Sequence, residues 1–207
     1  MGIKIGCAAW TWTEPAHNPP YEEAIKSIGE LGFDGIELIL RDFEDVENYW
    51  TKDKRKEIKS MVDYYGLQVS QFAMFQNVMD GLASLEEEKK NRSIEAFKNG
   101  CEISADLGCD IVNFVSPWPS TVTAPNSYLP EYYYINVPGV DPRIRALQVF
   151  QTKLKYTFPN PFDWERYWSS HVDAVRKVAQ IAKQYGFKLA IENHANTMTP
   201  HTDSILR

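Results

Sequence analysis

At 207 residues the chain is long enough for one domain with an ordinary core, and 43% hydrophobic with 24% charged residues excludes wholesale disorder and fibrous repeats. Its 22 Lys and Arg against 28 Asp and Glu leave a net charge of −6, which repels polyphosphate and anionic lipid, so neither nucleic acid nor a membrane is an expected partner. Cys7, Cys101 and Cys109 form no C-x-x-C and no paired framework, so free thiols in a reducing, cytoplasmic compartment are expected. The N-terminal run is too short and interrupted for a secretory signal, and no stretch approaches the roughly 18 apolar residues of a membrane span.

Ile3–Ala9 reads as an opening strand, followed by a loop carrying Trp10, Trp12 and His17. One unit then recurs four times, over Glu22–Leu38, Glu57–Phe72, Arg92–Phe114 and His171–Asn193: an amphipathic helix, a glycine, and a short β-prone run. The helices repeat apolar residues at steps of three and four, as in Ala24, Ile25, Ile28 and Leu31. Gly32, Gly66, Gly108 and Gly186 stand where a helix end needs a left-handed residue. Ser84-Leu85-Glu86-Glu87 reads as a capping box ahead of the third helix. Residues 117–168, between the fourth and fifth strands, hold twelve of the 27 aromatics and eight of the 12 prolines. They read as an ordered insertion, serving as a pocket roof or as an interface.

Strand and helix in alternation predict an α/β fold with parallel strands and helical crossovers. Glu37, Gln71 and Asn113 each fall five residues after their glycines. A polar side chain recurring at one level fits a barrel interior near its mouth better than a sheet sealed on both faces by helices. Ala8-Ala9-Trp10-Thr11-Trp12 after the first strand is also no phosphate-binding glycine turn, which weighs against a dinucleotide fold.

Gly32-Phe33-Asp34-Gly35-Ile36-Glu37-Leu38, together with Ala190-Ile191-Glu192-Asn193-His194 and the helix opening at Thr202-Asp203-Ser204-Ile205-Leu206, resembles the sugar phosphate isomerase/epimerase superfamily, the xylose isomerase-like TIM barrels that also include endonuclease IV. The resemblance implies a TIM (β/α)8-type barrel, of which residues 1–207 supply about the first five β/α units as one partial domain. It also implies a divalent metal (Mn2+, Mg2+, Co2+ or Zn2+) held at the C-terminal mouth, with Glu192 matching the first ligand and the others expected beyond Arg207. On that reading the chain alone is expected to turn over nothing and to bind metal weakly. The open strand edges of a partial barrel lead to the expectation of association, a homo-oligomer included.

Glu192, at a strand end, is the candidate metal ligand and catalytic base, beside the alternative that it caps the barrel core through hydrogen bonds. His194, two residues on, is a candidate for touching substrate or orienting Glu192. Glu37, Gln71 and Asn113 are candidates for binding sugar hydroxyls, with hydrogen-bonded packing the alternative for each. Trp10, Trp12 and Trp118 are candidates for stacking on a sugar, with anchoring in the core as the alternative. The function the resemblance implies is isomerisation or epimerisation of a sugar or polyol-derived keto compound through an enediolate. A keto-inositol dehydratase, an endonuclease IV-like DNA-repair nuclease and a non-catalytic binding barrel are the competing readings. The nuclease would need histidines at the ends of strands three and four, where Phe72–Asn77 and Asn113–Pro119 have none.

Overall fold

The computed structural model describes residues 2–122, 156–194 and 197–207. Strands β1 (Gly6–Ala8), β2 (Gly35–Leu40), β3 (Gln68–Met74), β4 (Ile111–Val115) and β5 (Lys188–Glu192) form a five-stranded sheet in the order β1-β2-β3-β4-β5, every neighbouring pair parallel. Helix α1 (Glu22–Glu30) joins β1 to β2, α2 (Asp45–Asn48) and α3 (Lys52–Tyr64) join β2 to β3, and α4 (Gln76–Met79) and α5 (Glu87–Asp106) join β3 to β4. Helix α6 (Trp164–Gln184) leads into β5, and α7 (Thr202–Leu206) comes after it. A doubly wound sheet reverses its strand order at a switch point, whereas strands that add in one direction continue around a barrel. This order never reverses, so the chain forms five successive units of a barrel wall.

The four repeat glycines adopt positive φ angles of 81°, 70°, 73° and 74°. At each, the N–H of the next residue returns to the carbonyl five positions back: Phe33 to Ile28, Leu67 to Val62, Cys109 to Ser104 and Phe187 to Ala182. That bond pattern closes a helix and turns the chain toward its strand, and it requires a residue without a Cβ penalty in the left-handed region. Ile25, Ile28, Ile58, Val62, Phe97 and Val178 from the helices share one buried cluster with Ile36, Leu38, Phe72, Val112 and Phe114 from the strands.

Three local expectations are corrected. The opening strand is Gly6–Ala8 rather than Ile3–Ala9. Its pairing starts at Gly6 opposite Gly35, which leaves Ile3 93% exposed with nothing to pair against, and Ala9 already begins a 3-10 turn. Ser84 does not cap a helix starting beside it. Its Oγ accepts from Glu86 N at 3.0 Å within the loop, and Glu86 is the N-cap of α5. Trp164 and Trp168 belong to the first turns of α6, capped by Asp163 accepting from Arg166 N at 3.1 Å, and not to the segment before it. Most of the predicted insertion, including Tyr128–Tyr134, lies outside the described residues.

Cys7, Cys101 and Cys109 are free thiols, and burial pushes Cys101 up to about 12. His171 on α6 is 2% exposed, its Nδ1 lies 3.1 Å from the Leu82 carbonyl, and burial holds its pKa down to about 4. Below the unfolded value near 6.5 the unfolded chain therefore binds a proton that the folded chain refuses. Stability present above that pH is lost as pH falls toward 4. Urea unfolding should show about 2 kcal/mol lost from this group between roughly pH 7.5 and pH 5, and His171→Gln should flatten that part of the profile. An unchanged slope in the variant would contradict the assignment.

Candidate active site

Alternation along the strands decides which side chains meet the helices and which face the concave side of the wall. Phe72 packs edge-on against Trp50 with centroids 5.4 Å apart, and Phe114 packs against Phe97 at 6.4 Å, so both point outward to the helical layer. Gln71 and Asn113, one residue away from each, therefore lie on the inner face.

The β2–β3 ladder contains an irregularity there: Ile36 pairs with Val69, but Glu37 pairs with Gln71. Ser70 is the extra residue, and its Oγ donates to the Ile36 carbonyl at 3.1 Å. A bulge of this kind re-aims the next side chain, and here it sets Gln71 beside Glu37. Gln71 Nε2 donates to Glu37 Oε2 at 2.9 Å and Trp10 Nε1 donates to Oε1 at 3.0 Å, so one carboxylate ties the turn after β1 to the middle of β2 and β3.

Burial raises the Glu37 pKa, the Gln71 and Trp10 hydrogen bonds oppose that rise, and the negative charge of Glu192 adds to it. Glu37 and Glu192 stand on β2 and β5, which a flat sheet would separate by three strand spacings, about 14 Å. A parallel wall that curls toward a barrel shortens that span, and the Glu192 charge is the smallest of the four influences on Glu37.

The other predicted site residues are spread along the strand ends. Glu192 is exposed at the end of β5, paired in register with Val115, and its carbonyl accepts from Ser116 N at 3.4 Å. His194 is half-buried two residues beyond it. Asn113 is buried at 6% exposure, but it pairs with Ala73 and Ala190 rather than standing level with Gln71, so the common level comprises Glu37 and Gln71 alone. Trp12 is 45% exposed and directs its indole N–H to Cys7 Sγ at 3.3 Å, away from the Glu37 cluster. Trp118 packs against Tyr156 and Trp164, with centroids 5.7 and 5.9 Å away.

Trp10 reaches Glu37 on the inner face, yet one of its ring faces is already occupied. His17 stacks on it at 4.5 Å with an interplanar angle of 16°, and Phe75 lies tilted against His17 at 4.9 Å with 36° between the rings. Arg41, the residue after β2, shares this rim, since its charge acts on His17. Sequence reasoning gave Arg41 no role. Its only signal is its position one residue past a strand end.

A metal centre needs several carboxylate or imidazole ligands converging on one point. Among the described residues no group of three or more His, Cys, Asp and Glu side chains gathers in that way. Glu192 offers one carboxylate, and both oxygens of Glu37 already accept N–H bonds. The described residues therefore do not fit a complete metal site. Calorimetric titration of this chain with Mn2+ should show no tight stoichiometric binding, and a steep one-site isotherm would contradict this.

The sequence profile described as xylose isomerase-like TIM barrel matches residues 25–205. The chain belongs to the xylose isomerase-like TIM barrel family. Among curated proteins no sequence matches. Solved structures similar to this family member include D-psicose 3-epimerase from Clostridium cellulolyticum H10, at 15% identity and a TM-score of 0.59, with 91% of this chain covering 52% of that one. The 3-keto-D-glucoside 4-epimerase of E. coli is similar at 17% identity and a TM-score of 0.55, over 92% and 56% of the two chains. The D-allulose 3-epimerase of a Methylomonas species reaches a TM-score of 0.62 at 15% identity, over 99% and 57%. The chain spans about half the length of these solved structures, and at these identities the likeness establishes the fold. Among its described residues no helix is long and apolar enough to cross a membrane.

Proposed function

We propose that this chain supplies the first five β/α units of a sugar isomerase or epimerase acting on a keto-sugar or polyol-derived keto compound through an enediolate. The observation that supports the reading is the polar inner face of the wall, where Glu37 is fixed by Trp10 and Gln71 within β2 and β3 and Glu192 stands exposed at the C-terminal end of β5. Barrel enzymes build their sites at that end, and fixed amide, indole and carboxylate groups on a curved wall suit a ligand made of hydroxyls.

In this mechanism Glu192 takes the proton from the carbon beside the carbonyl, the step that forms the enediolate. Its exposure at the strand end leaves the carboxylate open to a substrate. Glu37, with both oxygens engaged, acts as a fixed acceptor that holds the Trp10 indole and the Gln71 amide in place. The divalent cation that the family resemblance implies would find Glu192 as its one carboxylate here, and the reading assigns it no step.

The test is proton exchange. The full gene product, incubated in D2O with a panel of ketohexoses and polyol-derived ketones, should place deuterium at the carbon next to the carbonyl and release the epimer or isomer, both read by NMR. Absence of exchange and of product across the panel would overturn the proposal.

A further inference from the structure

His17 is the one member of the inner rim whose placement costs the fold something in two separate ways. Its φ of 74° is the only positive value at a non-glycine position among the described residues, in a region that favours glycine. Its imidazole is also half-buried between two aromatic rings, where a phenylalanine would fill the slot without removing ring nitrogens from water.

The surroundings enforce both features. His17 N donates to the Trp10 carbonyl at 2.9 Å, and its own carbonyl accepts from Tyr21 Oη at 3.0 Å. Tyr21 N donates to Tyr49 Oη at 3.0 Å, Tyr49 donates to Glu22 Oε2 at 2.9 Å, and Lys54 pairs with Glu22 at 2.9 Å. A chain of contacts from α1 and α3 thus clamps the backbone of the loop at His17. Strain held by over-determined surroundings concentrates at sites of function.

We infer that His17 is a specificity-determining residue of the proposed site, its imidazole hydrogen-bonding a hydroxyl of a neutral polyol or sugar at the rim beside Trp10. This rests on the epimerase reading and adds the residue that would sort one hydroxyl arrangement from another. The Trp10–Glu37 bond links the stack to the inner face of the wall, which places His17 two contacts from Glu37. Burial lowers the His17 pKa most, a hydrogen bond to the Ala16 backbone opposes it, and the Arg41 charge lowers it further. A neutral imidazole carries one donor and one acceptor nitrogen, so the Ala16 backbone bond leaves the other ring nitrogen for a ligand hydroxyl.

The experiment is NMR titration of the chain with D-fructose and D-psicose, tracking the His17 ring signals and the Trp10 indole N–H, on the wild type and on His17→Phe. Saturable shifts at both residues are expected, with a different dissociation constant for each sugar and at least a tenfold weaker one in H17F. Movement of Trp10 without His17, or equal affinity in a folded H17F, overturns the inference while leaving the epimerase reading intact. Silence at both residues also overturns it, and the exchange experiment then decides the broader reading independently. If H17F fails to fold, the wild-type His17 signals carry the test alone.

Discussion

Trp50→Ala is expected to destabilise the chain by about 4 kcal/mol, the upper part of the range for removing a buried aromatic side chain. Trp50 has no exposed surface, and its indole N–H donates to the Ile39 carbonyl at 3.1 Å. Its ring meets Tyr49 edge-on at 4.9 Å, Phe72 edge-on at 5.4 Å and Tyr21 in a stack at 5.9 Å. Alanine removes the hydrogen bond and the three ring contacts together and leaves a cavity that rigid neighbours on β2 and β3 cannot fill. Trp50→Phe keeps most of the apolar volume and loses the N–H, so it should cost about half as much. Urea unfolding of the three proteins measures both. A loss below about 1 kcal/mol for the alanine variant would mean that this layer does not hold β2 against α1 and α3. The effect should extend to the site, because Tyr21, which stacks on Trp50, is the residue that fixes the His17 loop.

The glycine-ended repeat was legible because it is written in local chemistry. A left-handed cap needs glycine, and four such caps at the ends of four amphipathic helices leave the next segments little choice but to turn back as strands. Helix starts were less legible, since a serine near a helix has several backbone partners to choose from. Ser84 takes the one inside its own loop, while Thr51 and Asp163 take the caps of α3 and α6. Counting from the glycines placed Glu37 and Gln71 level, and they are level, but only because the bulge at Ser70 restores the register. The same count fails for Asn113. Phe72, six residues after Gly66, pairs with Val112, four residues after Gly108, so the strands slip past one another. Closing a sheet into a barrel requires such stagger, and equal distance from a helix end is not equal height in the wall. The stack of Trp10, His17 and Phe75 was the least legible part, for it joins two loops whose meeting depends on the curvature of the completed fold.

Glu192→Gln is expected to lower turnover by about a thousandfold in the full gene product and to abolish deuterium exchange, the size of effect expected when a general base is lost. The substitution keeps the shape of the side chain and removes its charge. Because Glu192 is exposed, folding stability should change by no more than about 0.5 kcal/mol, so lost activity cannot be ascribed to unfolding. A second readout comes from Glu37. The Glu192 charge is one cause of its raised pKa, so the variant should titrate Glu37 at a lower pH, seen in the NMR signal of its side-chain carboxyl carbon. A Glu37 that titrates unchanged would mean that the two carboxylates do not share one space. A variant that still exchanges protons at the wild-type rate would mean that some other group takes the proton. The two measurements separate the geometry from the chemistry: curvature of the wall sets the first, and the ability of a carboxylate at the end of β5 to act as a base sets the second.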